Sequence, residues 1–222
     1  MMISPEGYYE FELKGKSEAE IMKEIRSLKR TIGKLKTTME HPDYVSIIDP
    51  SEDVQLWCTR MYLERAIQAL EEVGGTYTPT KAELKSTAFD NNIDFIHKIT
   101  FEIGGFCQGM NRYVVDFAED KAKCFVYDWL SEPEEKPMYM DKEELLSGIR
   151  ELHIGEWRRH YTLKRFGYMV LDGTQWELKI EYSNGVKPEC YDGDNAYPYN
   201  FSKFLELFGL ENEKDFDEDE DE

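Results

Sequence analysis

The sequence predicts an α+β fold, in which an N-terminal strand and a helical hairpin are attached to a domain of two antiparallel β meanders with two helices. Three observations predict it: apolar residues at helical spacing in the first third, β-rich runs between glycines after that, and hairpin-type dipeptides near the end. The predicted parts are 1–75 (strand plus helical hairpin), 76–92 (linker), 93–210 (α+β domain) and 211–222 (acidic disordered tail).

The first 75 residues contain one predicted strand and two predicted helices. Apolar and charged residues alternate in GYYEFELKG, as in a half-buried strand. Ser17 and Glu20 then form a capping box, and an apolar seam follows at Ile21, Ile25, Leu28, Ile32, Leu35 and Met39. The second helix begins near Ser51 and ends at Gly74 and Gly75. A proline-containing connection between the helices allows antiparallel packing.

The segment GGTYTPTKAELKSTAFDNN is rich in turn-forming residues and predicts a domain boundary. Beyond it, FIHKITFEI, NRYVVDF and KCFVYDWL predict the first meander, and DKEELLSGIRELHIGEWRRHY predicts a helix at least through Leu152. FGYMVL, TQWELKIEY and VKPECY predict the second meander, joined by AspGly and AsnGly turns. In its central strand, Trp176, Leu178, Ile180 and Tyr182 share the face expected to be buried.

The aromatic run GDNAYPYNFSKF raises the question of a binding loop. Asn200 occupies an expected helix N-cap position, with apolar residues on one face after it and Gly209 at the expected helix end. The run is therefore first predicted to be a helix entrance at which Tyr197 and Tyr199 pack. The same two tyrosines remain candidates for partner binding.

The segments LDGTQWELKIEYSNG and GDNAYPYNF, together with FEIGGF and LHIGEWRRHY, carry a resemblance over roughly the second half of the chain. This half resembles a C-terminal module of uncharacterised proteins from gut Clostridia and related Firmicutes. The resemblance implies a shared fold. It implies no activity and no transferable site residue.

The formal net charge of −19 is the strongest compositional signal. Such a charge repels nucleic-acid phosphate and anionic lipid, so we expect neither direct nucleic-acid binding nor membrane binding. No apolar run reaches the roughly 18 residues of a membrane span. The N-terminal residues lack the basic start and apolar block of a signal peptide, so we expect a cytoplasmic protein.

Catalytic and metal-binding patterns are weak. The four cysteines, Cys58, Cys107, Cys124 and Cys190, form no CxxC pair, so we expect unpaired thiols. The pattern HxxExxxH at His153, Glu156 and His160 matches no established zinc motif, and Gly155 interrupts it. We therefore expect no metal, no cofactor and no catalytic residue. A hydrolase with a His-Glu site around Trp157 is the alternative from another class.

Two basic clusters interrupt the acidic background. The first is Lys23, Arg26, Lys29, Arg30, Lys34 and Lys36, and the second is Arg158, Arg159, His160, Lys164 and Arg165. Each is either a solvated surface balanced by nearby acids or a docking surface for an acidic partner or the chain's own tail.

The terminal segment ENEKDFDEDEDE holds nine acids and one lysine. Such a run is either a solubilising tail or a mimic of nucleic-acid phosphate. From this charge we expect a non-enzymatic inhibitor that binds a basic protein, such as a nucleic-acid-handling effector of bacterial defence. An immunity or regulatory protein for a basic toxin is the alternative. The candidate partner-binding residues are Asp215, Asp217, Glu218, Asp219, Glu220, Asp221, Tyr197 and Tyr199.

Overall fold

The structure is a computed structural model that describes residues 3–105, 109–117, 123–127, 134–136, 141–170 and 172–210. The chain divides into two compact units, Met1–Thr80 and Lys81–Glu222. The described part of the first unit is helical, and the second combines a sheet with helices. The predicted α+β class is confirmed.

The first unit begins with helix α1, Pro5–Tyr8, which continues directly as one π-helical turn, Tyr9–Leu13. The predicted N-terminal strand is therefore wrong. Hydrogen bonds in a π-helical turn join residues five apart, which places Tyr8 and Leu13 on one face. Both side chains are buried, whereas Phe11 is 79% exposed. The alternation in the sequence therefore does not reflect burial.

Two long helices complete the first unit, as predicted: α2, Glu18–Met39, and α3, Glu52–Glu72. The capping box at the start of α2 is present, because the Ser17 N–H donates to Glu20 Oε2 at 2.9 Å. The two helices and the N-terminal turns share one apolar core. Its buried members are Tyr8, Leu13, Ile21, Ile25, Leu28, Ala66, Ala69 and Leu70.

The second unit begins with helix α4, Lys81–Asp90. This helix lies within the segment 76–92, which the sequence predicts to be a linker, and its Phe89 is buried. The helix packs beside a 3₁₀ turn, Ile154–Glu156, far along the chain. The linker prediction is therefore wrong for these residues, because a contact distant in sequence orders them.

The second unit contains a seven-stranded sheet in the order β4-β3-β2-β1-β6-β7-β5. Its strands are β1 Ile96–Gly105, β2 Gly109–Asp116, β3 Lys123–Tyr127, β4 Glu134–Lys136, β5 His160–Thr162, β6 Thr174–Tyr182 and β7 Glu189–Asp194. All neighbours are antiparallel except β5 and β7, which are parallel. The two predicted meanders thus form one sheet, because β1 pairs with β6.

The first predicted meander is confirmed as β1, β2 and β3. The second is wrong in its first strand, because residues 167–170 form no strand. The AspGly dipeptide therefore does not close a hairpin. Six residues, 183–188, join β6 to β7 and include the positive-φ Gly185. The predicted position of the turn at AsnGly is confirmed, although the connection between the two strands is longer than two residues.

Helix α5, Lys142–Glu151, and helix α6, Phe201–Leu207, pack with α4 in one core against the sheet. The predicted alternation of β6 is confirmed, with Trp176, Leu178, Ile180 and Tyr182 buried. No helix in the described part of the chain is long and apolar enough to cross a membrane.

Candidate functional site

One face of the sheet in the second unit packs against helices α4, α5 and α6, and the opposite face carries polar and charged side chains. Helices α4, α5 and α6 bury apolar residues in a core that also contains Phe101 of β1 and Leu178 of β6. Side chains that alternate with these residues project from the opposite face. They are Lys98, Thr100 and Glu102 of β1, Gln175, Glu177, Lys179 and Glu181 of β6, and Cys190, Asp192 and Asp194 of β7.

Three carboxylates lie opposite one another on three adjacent strands of this face. Glu177 of β6 is paired in register with Asp192 of β7 on one side and with Glu102 of β1 on the other. Neighbouring strands are about 4.8 Å apart, and like charges directly opposite are destabilising. We call Glu102, Glu177 and Asp192 the acidic row.

Each end of the acidic row contacts a basic side chain, and its centre forms no such contact. At one end His160 Nδ1 lies 2.7 Å from Asp192 Oδ2, and at the other Arg112 donates to Glu102 at 2.5 Å. Within the described residues, Glu177 has no ion pair, and it is exposed. The row therefore has one carboxylate without an ion pair between two carboxylates that contact basic side chains, although the Lys179 ammonium is near enough to interact electrostatically with Glu177.

The neighbouring positions on the same face have a more balanced charge. Lys179 Nζ donates to Glu181 Oε1 at 2.9 Å, which raises the pKa of Lys179 and lowers the pKa of Glu181. Partial burial raises the pKa of the Cys190 thiol, and the negative charge of Glu177 raises it further. This pKa shift indicates that the negative charge of Glu177 acts on its neighbours. Asp194 extends the acidic surface along β7 and is exposed.

The predicted partner-binding residues do not lie in this row. The acidic positions Asp215, Asp217, Glu218, Asp219, Glu220 and Asp221 lie outside the described residues. Tyr197 and Tyr199 are partly buried against the core, and the Tyr197 ring centroid is 4.9 Å from that of Phe201. The two tyrosines thus pack at the helix entrance, which leaves each with only part of its side chain exposed.

Asn200 occupies the predicted N-cap position of α6, but its side chain makes different contacts. Its Oδ1 accepts a hydrogen bond from Trp157 Nε1 at 2.9 Å, and its Nδ2 donates to the Leu152 carbonyl oxygen at 2.6 Å. No hydrogen bond from the first turn of α6 reaches the Asn200 side chain. Asn200 therefore joins α6 to the segment that follows α5.

The residues of the HxxExxxH pattern do not share a helix. Helix α5 ends at Glu151, His153 has a left-handed backbone, and His160 begins β5. Trp157 between them is 2% exposed. Among the described residues, no three His, Cys, Asp or Glu side chains form a group that could hold a metal ion. No observation in the described residues favours the alternative hydrolase.

The basic clusters are both on the surface. In the first, Lys23, Arg26 and Arg30 are exposed along α2 and, with Lys29, line a shallow open concavity. In the second, Arg159 lies 2.6 Å from Glu189 and His160 contacts Asp192, so nearby acids partly balance it. The interpretation as a balanced surface thus fits the second cluster.

Comparison of the chain with family models, with curated proteins and with solved structures found no significant match.

Proposed function

We propose that the protein is a non-enzymatic binding protein whose acidic sheet face docks onto a basic surface of another protein. The observation that carries this proposal is the acidic row, in which Glu177 has no ion pair among the described residues and faces Glu102 and Asp192 on adjacent strands. Placing like charges opposite one another costs stability in the free protein. A partner cation would remove that cost on binding.

The net charge of −19 supports a basic partner. A strongly negative protein attracts basic surfaces over a range of about 10 Å at 0.1 M salt and thereby accelerates association. Proteins that handle nucleic acid carry such surfaces for phosphate. The proposed action is therefore to occupy the phosphate-binding surface of a nucleic-acid-handling effector and to exclude its substrate. The segment 211–222 adds acidic charge to the same chain.

A competition experiment tests this function. A purified basic nucleic-acid-handling protein from the same source is bound to a fluorescent DNA duplex, and the acidic protein is added while anisotropy is measured. We expect displacement of the DNA, with an affinity that falls steeply between about 50 and 200 mM salt, because charged contacts dominate. Failure to displace DNA from any such protein would contradict the proposed function.

A triple variant tests whether the acidic row is the binding surface. It combines Glu102→Gln, Glu177→Gln and Asp192→Asn. Each lost exposed pair contributes about 0.3 to 1 kcal/mol, so we expect displacement to weaken about 5- to 150-fold. The matched control, Glu143→Gln, Glu151→Gln and Glu206→Gln, removes the same charge from exposed positions of α5 and α6. We expect it to change affinity by about twofold or less. If the first variant displaced DNA as well as the unchanged protein, and truncation after Leu210 abolished displacement, the binding site would lie in the tail and not in the acidic row.

A further inference from the structure

A second group of polar side chains lies on the core-facing side of the same sheet. Its members are Lys85 of α4, Arg159, Tyr182 of β6, and Glu189 and Tyr191 of β7. The Lys85 ammonium nitrogen is 5.1 Å from the centroid of the Tyr191 ring, and Glu189 and Arg159 act electrostatically on Lys85 and on both tyrosines. Within this cluster Lys85 thus contacts Tyr191, Arg159 pairs with Glu189, and strand alternation places Tyr182, Glu189 and Tyr191 on the side of the sheet opposite the acidic row.

The two tyrosine hydroxyls of this cluster are unpaired. Tyr191 is completely buried and Tyr182 is 7% exposed. Neither hydroxyl oxygen has a hydrogen-bond partner among the described residues. Buried hydroxyls in native proteins almost always have a partner, so these two hydroxyls are available to donate to a bound group. Burial raises the pKa of both tyrosines, and the nearby Glu189 carboxylate raises it further. Both hydroxyls therefore stay protonated.

Lys85 is a half-buried cation without a paired anion. Its Nζ donates to the Trp157 carbonyl oxygen at 3.1 Å and forms no ion pair with a described carboxylate. The acid of the cluster, Glu189, instead pairs with Arg159, whose Nη2 lies 2.6 Å from Glu189 Oε2, although that buried oxygen has no hydrogen-bond partner among the described residues. Burial lowers the pKa of Lys85, although Glu189 acts in the opposite direction. The cluster thus has one positive charge in excess.

We propose that Lys85, Tyr182 and Tyr191 bind one small oxyanion, the carboxylate or phosphate group of a small molecule. An ammonium group has three donors, of which the Trp157 carbonyl uses one, and each tyrosine adds a hydroxyl donor. Oxyanions offer only acceptors, so they match this set. A single negative charge would also neutralise the excess positive charge. Lys85 is half-buried and Arg159 is exposed, so the cluster extends from the buried tyrosines to the surface.

Calorimetric titration of the full chain with inorganic phosphate and with acetate, at constant ionic strength, tests the site. We expect at least one of the two anions to bind at millimolar concentration with one site per chain. Binding of phosphate alone or of acetate alone would identify the ligand class, and binding of both would show a general oxyanion site. Absence of binding by both anions would overturn the proposal.

Two variants establish that binding occurs at this cluster. We expect Lys85→Met to weaken binding at least tenfold because it removes the charge, whereas the exposed control Lys203→Met leaves the affinity unchanged. Tyr191→Phe removes only a hydroxyl that has no partner, so it should retain the melting temperature of the anion-free protein while losing affinity. Unchanged affinity in both Lys85→Met and Tyr191→Phe would overturn the site. These titrations use the protein without a partner, so their outcome does not depend on whether the acidic row binds another protein.

Discussion

Replacing Asn200 by alanine is expected to destabilise the second unit by about 2 to 5 kcal/mol. The change leaves the Trp157 indole N–H and the Leu152 carbonyl oxygen without partners in a buried place, and each such loss costs about 1 to 3 kcal/mol. Native-state hydrogen exchange of the β6 amides measures the effect, because central strands open with the free energy of the whole unit.

The control for this variant is Asn111→Ala on β2, where the asparagine side chain is exposed. We expect a change below about 0.5 kcal/mol there. If Asn200→Ala changed the stability no more than this control, the link between α6 and the segment after α5 would not stabilise the fold.

Replacing Gly193 by alanine is expected to destabilise the second unit by about 3 kcal/mol. A methyl group at this position would lie 2.5 Å from the Ala196 carbonyl oxygen and would overlap the Trp176 indole ring. The indole N–H donates to that same carbonyl at 2.9 Å, so accommodation of the methyl group would break a buried hydrogen bond. The measurement is again hydrogen exchange in β6.

Gly33→Ala is a useful comparison, because a methyl group there would meet no atom within 4 Å. Gly33 lies inside α2, where alanine is favoured over glycine by about 1 kcal/mol, so this variant should stabilise the first unit. A stabilising effect of Gly193→Ala would show that the backbone beside Trp176 can move without cost.

The parts of the fold predicted correctly are those determined by local sequence. Helices α2 and α3 have long apolar seams and cap signals, and the alternation in β6 is confirmed by burial. The predicted N-terminal strand is wrong because three apolar and three charged residues alternate from Tyr9 to Lys14 as in a strand, whereas the residues before them are local signals for a helix. Ser4 and Pro5 are such signals: Ser4 Oγ accepts the Gly7 N–H at 3.0 Å, and Pro5 fits the first helical position.

The parts that were missed depend on contacts far apart in the sequence. The segment before residue 92 contains turn-forming residues, yet α4 forms because it packs beside the turn at Gly155. A methyl group on Gly155 would lie 2.9 Å from the Ser86 Cα, which shows how closely the two segments approach. Likewise, β5 pairs in parallel with β7, which no local pattern indicates.

The acidic row could be predicted only in part. The alternation in β6 places Glu177 on the face opposite the buried Trp176 and Leu178. Its neighbours, Glu102 and Asp192, depend on the register between β1, β6 and β7, and β1 and β6 are separated by about 75 residues. The most acidic segment of the sequence is 211–222, whereas the row is formed by single acids on three strands that only the sheet register brings together.

Carboxyl-group footprinting tests the acidic sheet face most directly. The partner is a protein from which this chain displaces DNA. The free protein and the complex are each treated with a carbodiimide and an amine, and the labelled acids are quantified by mass spectrometry. We expect labelling of Glu177, the central carboxylate of the row, to fall several-fold in the complex, while labelling of Glu143 and Glu206 on the helices stays unchanged. Unchanged labelling of Glu177 in a complex that forms at full affinity would contradict the proposal that the acidic row is the binding surface.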